Sequence, residues 1–119
     1  MDYRTEVKEA RAKNIRMYQL VGPEAAGHQN GLYEVCMKDG ALDRKTKELI
    51  GLGIGICVRC EACMYGHIEK AVALGATIEE IAEVCKVALI MAGGPGTAYS
   101  GKAIACAEEY IAARDGKIR

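Results

Sequence analysis

The chain has 119 residues, with 16 basic and 16 acidic side chains, six Cys, fourteen Gly, six Tyr and neither Trp nor Phe. This length makes a single domain, 1–119, able to bury about two-thirds of its extended surface. Balanced charge argues against a nucleic-acid binder, which needs clustered Lys and Arg to displace counterions, and the apolar run Ile50 to Val58 is far short of the roughly 20 residues of a membrane span.

The first 16 residues interleave five basic and three acidic side chains, the pattern of a solvated helix face. With Asp2 and Glu6 and no apolar stretch, this end is not expected to be a signal peptide. A cytoplasmic protein is expected, whose thiols stay reduced, so the six cysteines are not a disulfide scaffold. Helices follow in order, with apolar residues recurring at three and four. Gly22-Pro23 ends the first, and Gly40 closes a second that carries Leu32, Val35 and Cys36. Asp43 caps a third, through Leu49, Leu52 and Ile56. A fourth runs from about Cys60 to Leu74 and stops at Gly75. Thr77 and Glu80 form a capping box for a fifth, through Ile81, Val84, Ala88 and Met91. Gly93-Gly94-Pro95 breaks it, and a last helix carries Ile104, Ala107 and Ile111 to about Arg114. No segment alternates with period two. The expected fold is all-α, a bundle of about six helices. Its core of small side chains is thin enough that the helices are expected to pack against other copies.

The chemistry concentrates at Cys57, Cys60 and Cys63, followed by His67. A Cys-x-x-Cys pair suits dithiol–disulfide exchange, because one helical turn brings the two sulfurs together. At a helix start the free backbone N–H groups also favour the thiolate. His67, four residues after Cys63, projects from the same face and can take and return the thiol proton. If the two helices form an antiparallel pair about a turn near Cys57 and Val58, Glu48 lies level with His67. Its neighbours Leu49-Ile50-Gly51-Leu52 supply an apolar setting in which a carboxylate relays protons. The competing reading makes Glu48 an exposed member of the polar turn Lys45-Thr46-Lys47-Glu48.

The spacing of Glu48, Cys60, Cys63 and His67 resembles the active-site pattern of the alkylhydroperoxidase D family, within the carboxymuconolactone decarboxylase-like superfamily. The resemblance covers about residues 41–112, including Ala41 to Ile50, Ala73-Leu74-Gly75-Ala76-Thr77, Met91-Ala92-Gly93-Gly94-Pro95 and the Ala-rich last helix. It implies an all-helical trimer or hexamer with a redox-active Cys60/Cys63 pair and Glu48 and His67 in proton relay; no cofactor or metal is expected. Hydroperoxide would be the substrate, with re-reduction by a dithiol such as a lipoyl group or a thioredoxin-like protein. On this reading Cys63, beside the histidine, or Cys60, nearer the helix terminus, attacks the peroxide, and the other cysteine condenses with the resulting sulfenic acid.

Three alternatives use the same residues. Cys57-x2-Cys60-x2-Cys63 resembles an iron–sulfur or zinc ligand run, although such runs lie in irregular loops and this one has helical flanks. The other two are lactone decarboxylation, the activity that names the superfamily but does not rely on a Cys-x-x-Cys pair, and a disulfide reductase acting on another protein. The near P-loop Gly96 to Ala103 lacks the Ser or Thr after its Lys and the strand before it, and is expected to be helical. Cys36, Cys85 and Cys106 sit at core-like spacings and are expected to be buried, Cys57 to be a small apolar residue, and His28 to be exposed. Tyr65 and Tyr99 are expected to pack. Gly51, Gly53 and Gly55 are expected to form a helix–helix seam rather than a site.

Overall fold

The computed structural model describes residues 2–119 and is all-helical. Its helices are α1 (Tyr3–Val21), α2 (Pro23–Met37), α3 (Arg44–Cys57), α4 (Glu61–Ala73) and α5 (Ile78–Arg114). The starts of α3 and α5 have the expected caps, and α1 has a further one at Asp2. Asp2 accepts from the Thr5 N–H, Asp43 from the Thr46 N–H at 2.7 Å, and Thr77 and Glu80 close the capping box. The expected fifth and sixth helices are two arms of α5, joined at Gly93, whose φ of 60° and ψ of −132° leave the helical region. Pro95 falls in the first turn of the second arm, where a missing N–H costs nothing. The arms close tightly there: a Cβ on Gly96 would lie 2.8 Å from the Ala88 carbonyl oxygen. The near P-loop segment is part of this second arm, and the second helix ends three residues before Gly40.

The core lies between α3, α4 and α5, where Leu52, Ile56, Met64, Ile68, Ile81 and Cys106 are fully buried. α1 adds Tyr3 and Val7, with the Tyr3 ring edge-on to Tyr65 at 5.2 Å. Glu109 of α5 secures its start by accepting the backbone N–H groups of Tyr3 and Arg4. α2 contributes no buried residue. Cys36 is therefore exposed rather than in the core, because the apolar face at Leu32, Val35 and Cys36 is left open among the described residues. Cys85 and Cys106 are buried, His28 is exposed and Tyr65 packs, as expected. By length and composition α5 is able to cross a membrane, although charged residues interrupt its apolar stretches. Here it is bent, and both arms supply buried residues to the core.

Candidate active site

α3 and α4 are joined by a three-residue connection that turns the chain straight back. The Arg59 N–H reaches the Ile56 carbonyl and the Cys60 N–H reaches the Gly55 carbonyl at 2.9 Å, the pairing that ends a helix in a Schellman motif. Arg59 holds the left-handed position, φ 59°, usually taken by glycine, at a cost of roughly 1–2 kcal/mol. The turn places Cys60 as the N-cap of α4, with its sulfur accepting the Cys63 N–H at 3.2 Å. A sulfur held by a helix N-terminus is favoured as thiolate.

Cys60 and Cys63 are joined as a disulfide, with Cα atoms 5.2 Å apart. Cys63 is exposed and Cys60 half-buried. One turn further along α4, Nδ1 of His67 lies 2.7 Å from Oε2 of Glu48. Glu48 has no exposed surface, which rules out the polar-turn reading. The antiparallel pairing places it level with His67, as the spacing predicts. Its other oxygen, Oε1, accepts the Tyr33 hydroxyl from α2 and lies 3.8 Å from Nε of Arg44. A carboxylate in this position favours the tautomer that donates from Nδ1, which turns the Nε2 lone pair away from Glu48.

Two glycines of α3 make room for this face. A Cβ on Gly51 would stand 2.7 to 2.8 Å from three atoms of the His67 ring, and one on Gly55 would stand 3.3 Å from Met64 and 3.5 Å from Cβ of Cys63. The glycine stripe is thus the helix–helix seam expected, but at Gly51 and Gly55 it is also the floor under His67 and Cys63. Gly53 turns to the opposite side, against Val84 of α5. There an open apolar groove of about 540 Å³ is lined by residues including Leu49, Ile54, Val84, Met91 and the half-buried Cys57. Among the described residues, no three Cys, His, Asp or Glu side chains gather in a way that could hold a metal ion.

The arrangement can store and release two electrons as dithiol and disulfide, beside a histidine held by a buried carboxylate. The profile of the carboxymuconolactone decarboxylase family matches residues 23–109. The chain belongs to that family. A carboxymuconolactone decarboxylase family protein from Legionella pneumophila has a crystal structure that superposes with a TM-score of 0.83, at 32% identity over 90% of this chain and 96% of its own. A second family protein, from Thermotoga maritima, for which a part in the antioxidative response has been suggested, gives a TM-score of 0.78 at 29% identity over 95% of this chain and 97% of its own. An uncharacterized protein of Cupriavidus necator is 32% identical over 85% of this chain and 92% of its own.

Within this family fold, the structure brings together all four residues singled out from the sequence. Gly51 and Tyr33 belong to the same site but carry no catalytic chemistry that a motif would show. Gly51 has one legible signal: it lies four residues before Gly55, as Cys63 lies four before His67. Tyr33 has none, since only the fold brings α2 over Glu48.

Proposed function

We propose that this family member is a thiol-dependent peroxidase and disulfide oxidoreductase, reducing hydroperoxides at Cys60 and Cys63. The supporting observation is the disulfide at the start of α4, one turn from a histidine whose Nδ1 is held by a fully buried carboxylate. The reaction begins from the dithiol. His67 takes the Cys63 proton, and the exposed Cys63 thiolate attacks the terminal oxygen of the hydroperoxide. The O–O bond breaks, Cys63 becomes a sulfenic acid, and His67 returns the proton to the departing alkoxide, giving an alcohol. The Cys60 thiolate then attacks the Cys63 sulfur, forming the disulfide, and the hydroxyl leaves as water with the second thiol proton.

An external dithiol restores the pair. It attacks the accessible Cys63 sulfur, and Cys60 departs as the thiolate that the α4 N-terminus stabilises, the better leaving group. A lipoyl group or a thioredoxin-like protein has this chemistry, and a cytoplasmic setting would supply it. The same proposal includes assembly into a homo-oligomer, a trimer or hexamer. The chain exposes 7339 Å², against roughly 6,300 Å² for a monomer of this mass. Val87, Ile90 and Met91 stand on one arm of α5 as exposed apolar side chains. Hydroperoxide turnover with a dithiol donor tests the activity. Wild type should turn over, and Cys60→Ser and Cys63→Ser should each lose turnover; full activity in both variants would overturn it.

A further inference from the structure

We propose that Tyr33 is a positioning residue of this site, holding the Glu48 carboxylate so that His67 is presented as a free base. The proposal rests on the peroxidase reading only for its kinetic consequence; the geometry stands without it. Tyr33 comes from α2, a helix with no buried residue, yet its hydroxyl reaches into the bundle and donates to Oε1 of Glu48. Oε2 of the same carboxylate accepts from Nδ1 of His67. A carboxylate held at one oxygen by a fixed phenol cannot turn about its last bond, so its second oxygen stays aimed at the imidazole. Burial first, and then the hydrogen bond to Glu48, push the Tyr33 phenol above the ordinary tyrosine range. It therefore remains a donor throughout neutral and moderately basic pH.

Two cations lie over the Tyr33 ring. Nζ of Lys70, on α4 one turn beyond His67, lies 4.0 Å from the ring centroid, and the Arg44 guanidinium lies 5.9 Å from it. Both cations sit at distances where the face of an aromatic ring attracts them. Arg44 also lies 3.8 Å from Oε1 of Glu48 and is paired with Glu34 of α2, while Lys45 turns away to Glu80 of α5. The charged and titratable groups facing the Glu48–His67 pair are thus Tyr33 and Arg44, with Lys70 and Cys63 on the His67 helix. Among them Tyr33 is the neutral hydrogen-bond donor to the carboxylate. Losing its hydroxyl leaves Glu48 more basic toward His67 and free to rotate. Protonation of the pair then becomes easier, so free base is lost at a higher pH.

The test is Tyr33→Phe, which keeps the ring beside its cations and removes only the hydroxyl. Proton NMR of the oxidised protein follows the two histidines, with the exposed His28 as internal reference. The His67 ring transition should move to higher pH relative to wild type, while His28 stays in place. With hydroperoxide and a dithiol donor, kcat should fall about tenfold, the loss of one hydrogen bond to a charged group, with KM unchanged. In a Glu48→Gln background the same change should add no further loss, because the carboxylate it positions is gone. A His67 transition that superposes on wild type, or an equal loss in the Glu48→Gln background, overturns the proposal. A wild-type protein that consumes no hydroperoxide, but whose His67 transition still moves in Tyr33→Phe, overturns the peroxidase reading and leaves the positioning role standing.

Discussion

Glu48 and His67, nineteen positions apart, meet at 2.7 Å across the α3–α4 pair, and the carboxylate has no exposed surface. A buried carboxylate is expensive unless each oxygen is satisfied. Here Tyr33 and Arg44 face one oxygen and His67 the other. The fold therefore keeps a charged group inside the helix pair whose orientation serves the histidine.

Replacing that carboxylate should separate chemistry from folding. Glu48→Gln keeps the shape but leaves a neutral amide that holds an imidazolium poorly, so peroxide turnover should fall about a hundredfold, the lower range for acid–base groups. Stability should fall by about 1–3 kcal/mol, from imperfect pairing of a buried polar group. Steady-state turnover alongside thermal denaturation measures both. Turnover within twofold of wild type would remove Glu48 from the relay.

Gly51→Ala reads the floor of the site. The added Cβ would press on the His67 ring at 2.7 to 2.8 Å, too close to persist, so the imidazole must shift. Alanine's better helix propensity, about 1 kcal/mol, offsets much of the crowding. The expected result is turnover reduced at least tenfold, with a stability change of about 1 kcal/mol or less in either direction. Gly101→Ala, which meets nothing within 4 Å, is the control and should keep full turnover. Equal activity in the two variants would count against the packing role of Gly51.

Glu48, Cys60, Cys63 and His67 were legible because one antiparallel helix pair carries them, and residue spacing on such a pair converts directly into proximity. Asp43, Gly75 and Thr77 marked helix ends for equally local reasons: each satisfies backbone groups or a left-handed position within its own turn. Tyr33 escaped because its contact depends on how α2 crosses α3, a tertiary angle with no periodic trace. Cys36 was misplaced because an apolar stripe shows that a face wants covering, not that the same chain covers it. Arg59 gave no warning either, since a left-handed arginine is imposed by the turn against its own preference.

Acid should loosen the helix starts before the core. The Thr5 hydroxyl and backbone N–H hold Asp2 at about 2, and Thr46 at the start of α3 likewise holds Asp43 below the ordinary carboxylate range. At α5, Lys45 and the Thr77 N–H do the same for Glu80. A depressed folded-state value stabilises at pH above the unfolded value and is lost as pH falls through the folded one. Urea midpoints should thus be flat above the ordinary glutamate value of 4.5 and decline below it, through the aspartate value of 3.8, toward about 2. Asn at position 43 retains a cap without the charge, so Asp43→Asn should flatten part of that decline. An unchanged slope in this variant would show that the Asp43 cap does not contribute.

The six thiols should divide by environment, and alkylation followed by peptide mapping tests this. In the oxidised protein Cys36 should label promptly, being exposed, and Cys57 more slowly, being half-buried. Burial pushes the Cys106 thiol up to about 12 and raises Cys85 as well. Since the thiolate is the reacting form, both should remain unlabelled at neutral pH until the protein unfolds. Dithiol treatment should expose two additional sites, Cys60 and Cys63, and mild peroxide should remove those two together by returning them to the disulfide. Peroxide that consumes Cys57 or Cys36 while Cys60 and Cys63 still label would place the redox chemistry elsewhere. Loss of Cys63 alone, with Cys60 still free, would show that the second cysteine does not close the disulfide.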